Sequence, residues 1–182
     1  MKRALTLVLA GLFAGSVIPA GSPEAAPLPA AAASTTRVVP PGDNALALRL
    51  AGAGGLQVEG RALANTESVR KFYAERKGRP AWTDSQGLTA TGAAVVAALQ
   101  GASAEGLDPA DYHPEAIKAR LAPVSVEQRT DLELLVSDAL MTYAVHLRAG
   151  RINPRSLDEA FSIVPVAVDR VAAAQSVAGA PD

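Results

Sequence analysis

The sequence contains no cysteine, which excludes thiol catalysis, thiolate metal sites and disulfide bracing together. Aromatic residues are scarce as well: one Trp, three Tyr and three Phe in 182 residues. With so few large side chains, Tyr73, Trp82, Tyr112 and Tyr143 must cover much of any core or binding surface. Only two histidines are present, His113 and His146, too few for a histidine-rich metal centre. Net charge is −1, and no basic stripe interleaves with aromatics, so nucleic-acid binding has no electrostatic footprint.

What is present begins with an export signature. Lys2 and Arg3 precede the apolar run from Ala4 to Ile18, and small residues follow at Ala20, Gly21 and Ser22. This layout predicts a signal peptide over 1–20 and an exported protein of the periplasm or cell envelope, with no transmembrane span once the signal is cleaved. Without Lys2 and Arg3 the 17 basic residues fall by two, against 18 acidic ones, and the mature chain is modestly acidic. Residues 21–43 are rich in Ala and Pro and bury little, which predicts a disordered linker.

The remainder reads as a mainly α protein, a small helical bundle with short extended connectors, over residues 44–169. Asp43 or Asn44 opens a first helix through Ala51, and the glycines at 52, 54 and 55 end it. Leu56-Gln57-Val58-Glu59 alternates as a short strand does. Asn65 or Thr66 caps a second helix with Val69, Phe72 and Tyr73 on one face, stopped by Gly78 and Pro80. Asp84 to Gly87 is a turn, and Leu88, Val95, Val96 and Leu99 give a further amphipathic helix with Thr89 or Thr91 near its start. Asp108 caps a turn that starts at Pro109, and Pro114 begins a short helix carrying Ile117 and Leu121.

Ser125 or Thr130 starts the longest helix, which ends at Gly150. Its apolar residues, Leu132, Leu135, Val136, Ala139, Leu140, Tyr143 and Leu147, form one stripe. Residues 170–182 offer only small Ala and Val side chains and are expected to be a weakly ordered tail. Part of the long stripe is then expected to face water and to promote self-association.

The usual catalytic constellations are weak here. Asp108, Asp111 and His113 combine metal-ligand types, but helix-opening caps account for both carboxylates, and no metal or other cofactor is expected. Asp138 and His146 lie eight residues apart, about 12 Å along a helix, too far to form a relay with Ser137. Glu105 with Asp108 leaves an acidic-pair hydrolase as a remote reading. Tyr143, His146, Arg148 and Arg151 gather at the end of the long helix, where cations complement the helix dipole or offer an edge for an acidic ligand.

The stretches Phe72-Tyr73-Ala74, Arg79-Pro80-Ala81-Trp82, Glu105 to His113, Ser137-Asp138-Ala139-Leu140 and Gly150 to Pro154 occur in a distinctive order. That order resembles the N-terminal scaffold domain of large multi-domain L,D-transpeptidases, which cross-link peptidoglycan. The resemblance covers about Leu46 to Asp169. It implies a helical, non-catalytic module, because the family's catalytic histidine and Ser-x-Gly-Cys motif belong to a later domain and match nothing here. It leaves open a truncated gene product, a fragment of a split gene or a free-standing module. It implies as partner a separately encoded L,D-transpeptidase catalytic domain or peptidoglycan itself. A rival reading is a peptidoglycan or stem-peptide binding module that uses Trp82, Tyr112, His146, Arg148 and Arg151.

Overall fold

The computed structural model describes residues 43–123, 125–151 and 166–180. The expected signal peptide, nearly all of the Ala/Pro linker and most of the Gly150 to Pro154 stretch lie outside the described residues. Six α-helices lie among the described residues: α1 (Asp43–Ala51), α2 (Thr66–Glu75), α3 (Ala90–Gln100), α4 (Pro114–Lys118), α5 (Val126–Ala149) and α6 (Arg170–Ala178). Two small antiparallel hairpins punctuate them. β1 (Gln57–Val58) pairs with β2 (Arg61–Ala62), and β3 (Thr83–Asp84) with β4 (Gly87–Leu88). Two 3₁₀ turns, Ala102–Glu105 and Pro109–Tyr112, join α3 to α4. The protein is mainly helical, as the periodicity predicts.

Local chemistry sets the helix boundaries. Thr89 caps α3 through Gly92 N–H, and Ser125 caps α5 through Gln128 N–H. Asp108 accepts from Ala110 N–H ahead of Pro109, which starts the second 3₁₀ turn. Gly150, at φ 82°, ends α5 and returns its N–H to the His146 carbonyl.

Helix α5 is the axis of the domain; α1, α2, α3, α4 and α6 all pack against it. The sequence predicts one apolar stripe on this helix, but every residue from Leu132 to Met141 is buried. A helix enclosed on all sides has no polar face to show, so its polar residues must find partners inside. Around it the core gathers Val69, Phe72 and Tyr73 from α2, Trp82, Val95 and Leu99, Tyr112, and Ile117. The four large aromatics all lie in this core.

The expectation of a weakly ordered tail at 170–182 is corrected here. Asp169 caps α6 by accepting from both Val171 and Ala172 N–H. The helix buries Val171, Ala174 and Val177 against α2 and α5. Small residues at a spacing of three let it approach closely, which a search for large apolar residues overlooks. The stripe on α5 is thereby covered through Tyr143 and Ala144, and only Leu147 near the end is exposed.

Candidate functional site

The polar side chains of α5 fall in two rows, each at a spacing of four: Glu133 with Ser137, and Asp138 with Thr142 and His146. Each row binds a different part of the chain.

Glu133 is 1 % exposed and receives donors at both carboxylate oxygens. Tyr73 O–H donates to Oε1 at 2.7 Å, and Ala81 N–H donates to the same oxygen. Trp82 N–H and Thr83 O–H donate to Oε2 at 3.1 and 2.8 Å. Ser137 Oγ accepts from Trp82 Nε1–H at 2.8 Å and sits 2.7 Å from the Tyr73 hydroxyl. The Trp82 ring stacks on Phe72, with centroids 5.9 Å apart. Burial lifts the Glu133 carboxyl above its ordinary range, opposed by the hydrogen bonds it accepts. Burial, helped by the Glu133 charge, also raises the Tyr73 phenol well above its usual value. This cluster fixes the Ala81–Thr83 backbone to the middle of α5.

Asp138, equally buried, holds the second row. Its Oδ2 accepts from His113 Nε2 at 2.7 Å, and its Oδ1 accepts from Asn65 N–H at 2.7 Å. The Asn65 amide donates to the Asp138 side chain and carbonyl and to Thr142 Oγ1. Burial pulls the Asp138 carboxyl upward, yet the His113 and Asn65 hydrogen bonds outweigh it and leave the group below its ordinary value. Asn65 precedes α2 as expected, but its side chain makes no capping bond, because Asp138 and Thr142 engage it instead. His113 adopts a left-handed backbone, φ 52°, that a non-glycine residue holds only when its surroundings fix it.

At the end of α5, Tyr112 O–H faces His146 Nδ1 at 3.0 Å and packs edge-on to Tyr143. Burial, followed by the nearby Asp111 charge, pushes the Tyr112 phenol up to about 12. Arg151 grips Asp111 through Nε at 2.7 Å and Nη2 at 3.0 Å, with Asp108 at 3.9 Å. Arg148 is exposed on the last turn.

Of the predicted candidates, Tyr112, His146 and Arg151 therefore meet in one cluster, whereas Trp82 belongs to the Glu133 cluster. Trp82 and Tyr112 are 0 % and 1 % exposed, which corrects their reading as binding surface: neither ring reaches solvent. The cationic edge expected at Arg151 is largely neutralised by Asp111 and Asp108. Glu105 is exposed, and Asp108 is committed to Ala110 N–H and to the neighbourhood of Arg151.

Sequence reasoning missed Glu133, Asp138–His113 and Asn65 as a system. The signal was available: two carboxylates inside a run of Leu, Val and Ala that ordinarily repels charge.

A further arginine lies between these clusters and the first hairpin. Arg120 is 6 % exposed; its Nη1 donates to Ala116 O, and its Nη2 contacts Glu59 at 2.7 Å and Asp131 at 3.5 Å. Beside it opens a pocket of about 240 Å³, lined by residues of the first hairpin, α4 and α5. Among the described residues no group of three or more His, Asp or Glu side chains is placed to hold a metal ion, and no helix is long and apolar enough to cross a membrane.

No curated protein and no solved structure matches the chain. Comparison with protein families matches residues 67–182, from the first turn of α2 to the last residue, to the family described as Scaffold domain. That span takes in α2 through α6 and both polar rows of α5, so the chain belongs to the Scaffold domain family.

Proposed function

We propose that this chain is a non-catalytic scaffold module of the cell envelope, associated with peptidoglycan cross-linking by L,D-transpeptidases. The observation that carries this reading is where the motif residues spend their chemistry. Tyr73 of the Phe-Tyr-Ala stretch and Ala81 and Trp82 of Arg-Pro-Ala-Trp converge on Glu133, and Ser137 of the long helix holds the Trp82 indole and the Tyr73 hydroxyl. His113 closes on Asp138 in the same way. A nucleophile or general base needs a partly accessible face toward a substrate. The groups around Glu133 face one another instead. His113, which lines the pocket beside Arg120, is held by Asp138, and the hydrogen bonds of both rows join distant segments to one helix. A fold organised so presents a rigid outer surface to a partner. The export signal read from Lys2 to Ser22 agrees with an envelope location, and the partner in this reading is an L,D-transpeptidase catalytic domain or peptidoglycan.

The test is direct. Purified mature protein should not cross-link a tetrapeptide donor, and it should co-purify with an L,D-transpeptidase catalytic domain expressed alongside it. Turnover of the donor by the clean chain would overturn the non-catalytic assignment. Failure to associate with either the catalytic domain or peptidoglycan sacculi would overturn the envelope association.

The stem-peptide binding alternative loses Trp82 and Tyr112 to burial and would rest on the exposed Arg148 and Arg151.

A further inference from the structure

Arg120 is an unusual occupant of its position. Its side chain is 7 % exposed, yet its closest ion partner, Glu59, is 69 % exposed and therefore strongly hydrated. Asp131, at 3.5 Å, is shared with Arg49, which approaches the other carboxylate oxygen at 3.0 Å. The Arg120 Nε–H is buried with no hydrogen-bond partner. A guanidinium binds a carboxylate best through two parallel bonds, and the edge carrying Nε and Nη2 is one of those forks. Here Glu59 contacts Nη2 alone, so the fork is half filled and a buried donor is left unsatisfied, an arrangement that costs stability.

Arg120 lines the 240 Å³ pocket, with His113, Glu115 and aliphatic side chains of α4 and α5 on one side and Glu59 and Arg61 of the first hairpin on the other. Its Nε is closed off from that space while Glu59 holds the guanidinium. At about 30 Å³ per water-sized group the space suits a carboxylate with a body of a few carbons, not a drug-sized molecule. The charges decide the sign of the ligand. The buried charged group that lines this pocket is the Arg120 cation; the acids on it, Glu59 and Glu115, are both exposed. His113 on its wall is already engaged by the buried Asp138, and Arg61 is an exposed cation with no partner among the described residues. A cationic ligand would gain only hydrated carboxylates, while an anion would complete a desolvated fork.

We infer that the pocket between the first hairpin, α4 and α5 binds small aliphatic carboxylates, which displace Glu59 from Arg120 and pair with its Nε and Nη2. Glu59 serves as the resident competitor: it sits at φ 50° in the turn between β1 and β2, and its exposure makes its departure cheap in desolvation. Nothing in this inference depends on the scaffold reading, and either can fail alone.

The test is a titration of the mature chain with butyrate, followed by amide NMR shifts, with butanol and butylamine as controls of matching body. Saturable shifts should appear at Ala116, Ala119 and Arg120 with butyrate only. Glu59→Gln, an exposed change that leaves the fold intact, should tighten butyrate binding several-fold. Arg120→Lys should weaken it about tenfold or more, the loss of a charge-assisted bond in a fork that lysine cannot reproduce. Should Arg120→Lys fail to fold, Ala119→Leu fills the pocket from an exposed position and should abolish the shifts. Equal binding of butanol would overturn the carboxylate assignment. Butyrate affinity unchanged in Glu59→Gln would overturn the displacement, and shifts that persist in Ala119→Leu would overturn the site.

Discussion

Gly92 offers the sharpest test of how closely the Trp82 segment is held. It lies in the first turn of α3, a helix in whose interior alanine outranks glycine. A Gly92→Ala change considered as helix chemistry alone therefore stabilises by about 1 kcal/mol. The packing points the other way. A Cβ at Gly92 would stand 2.1 Å from the Trp82 carbonyl oxygen and 2.9 Å from its carbonyl carbon. Both atoms are backbone, and no rotamer change relieves the overlap. The Trp82 peptide must retreat by about an ångström to reach ordinary contact.

That peptide is not free to move. Its oxygen accepts from Thr89 N–H at 2.9 Å and from the Thr89 hydroxyl at 3.2 Å, and one peptide earlier the Trp82 N–H is bound to Glu133. Overpacking of this kind costs about 1–3 kcal/mol, and each weakened hydrogen bond adds about 0.5–1.5 kcal/mol. Set against the propensity gain, the expected outcome is a net loss of about 2–3 kcal/mol in urea denaturation of the mature chain. Ala94→Gly, at an exposed position of the same helix, calibrates the opposing term and should cost about 1 kcal/mol. Should Gly92→Ala match or exceed the parent in stability, the close approach of α3 to the Trp82 backbone is wrong, and with it the rigidity argued for the cluster.

Other consequences follow from the two polar rows. Trp82→Ala should cost about 3–5 kcal/mol by chemical denaturation, the range for emptying a large buried aromatic site, and a loss below about 1 kcal/mol would place the ring at the surface. Glu133→Gln should destabilise nearly as much as Glu133→Ala, because each carboxylate oxygen faces a backbone N–H and either orientation of an amide sets N–H against N–H; calorimetry of the two variants compares them. Asp138 has a folded pKa below its unfolded one, so the stability it contributes is present above the ordinary aspartate range and is lost as pH falls through the depressed value. Asp138→Asn should therefore be less stable at neutral pH and lose less stability on acidification, as denaturation midpoints across the acid range will show. Glu133 has the opposite sign, its raised pKa giving stability that is lost as pH rises through the folded value, so Glu133→Ala should flatten that part of the profile.

The elements that were legible in the sequence are those defined by local chemistry. Ser125, Thr89 and Asp108 cap where short-range hydrogen bonding says they should, and Gly150 ends α5 because the backbone there needs a positive φ. The face of α2 that carries Val69, Phe72 and Tyr73 is buried as its spacing predicts. Helix α6 escaped because its buried residues are Val171, Ala174 and Val177, whose small area gives a faint signal at any period. The polar clusters escaped for a different reason. Asn65 and Asp138 are separated by 73 residues, and Tyr73 and Glu133 by 60, so no local pattern can pair them. Asn65 stands at the cap position, but Asp138 and Thr142 hold its amide nitrogen and orient the side chain away from the first N–H groups of α2.

A domain with few aromatics and no disulfide must specify a single packing of its helices by some other means. Apolar contacts among Leu, Val and Ala are tolerant of sliding, since one methyl-lined surface fits another at several registers. Glu133 does not tolerate it. One helical turn of slippage, about 5.4 Å, would leave a buried carboxylate and several donors unpaired, a far larger penalty than any repacking of aliphatic side chains. The same holds for Asp138, whose partners come from Asn65 before α2 and His113 before α4. Each carboxylate thus admits only one arrangement of the segments around α5, and the two together fix both ends of the Leu132–Met141 stretch. A double substitution to apolar residues of similar size, Glu133→Leu with Ser137→Ala, tests this division of labour. It should leave the helical content intact but broaden the unfolding transition and the amide spectrum, as the core gains alternative registers. A sharp, cooperative transition with a well-dispersed spectrum would show instead that the aliphatic packing specifies the fold unaided.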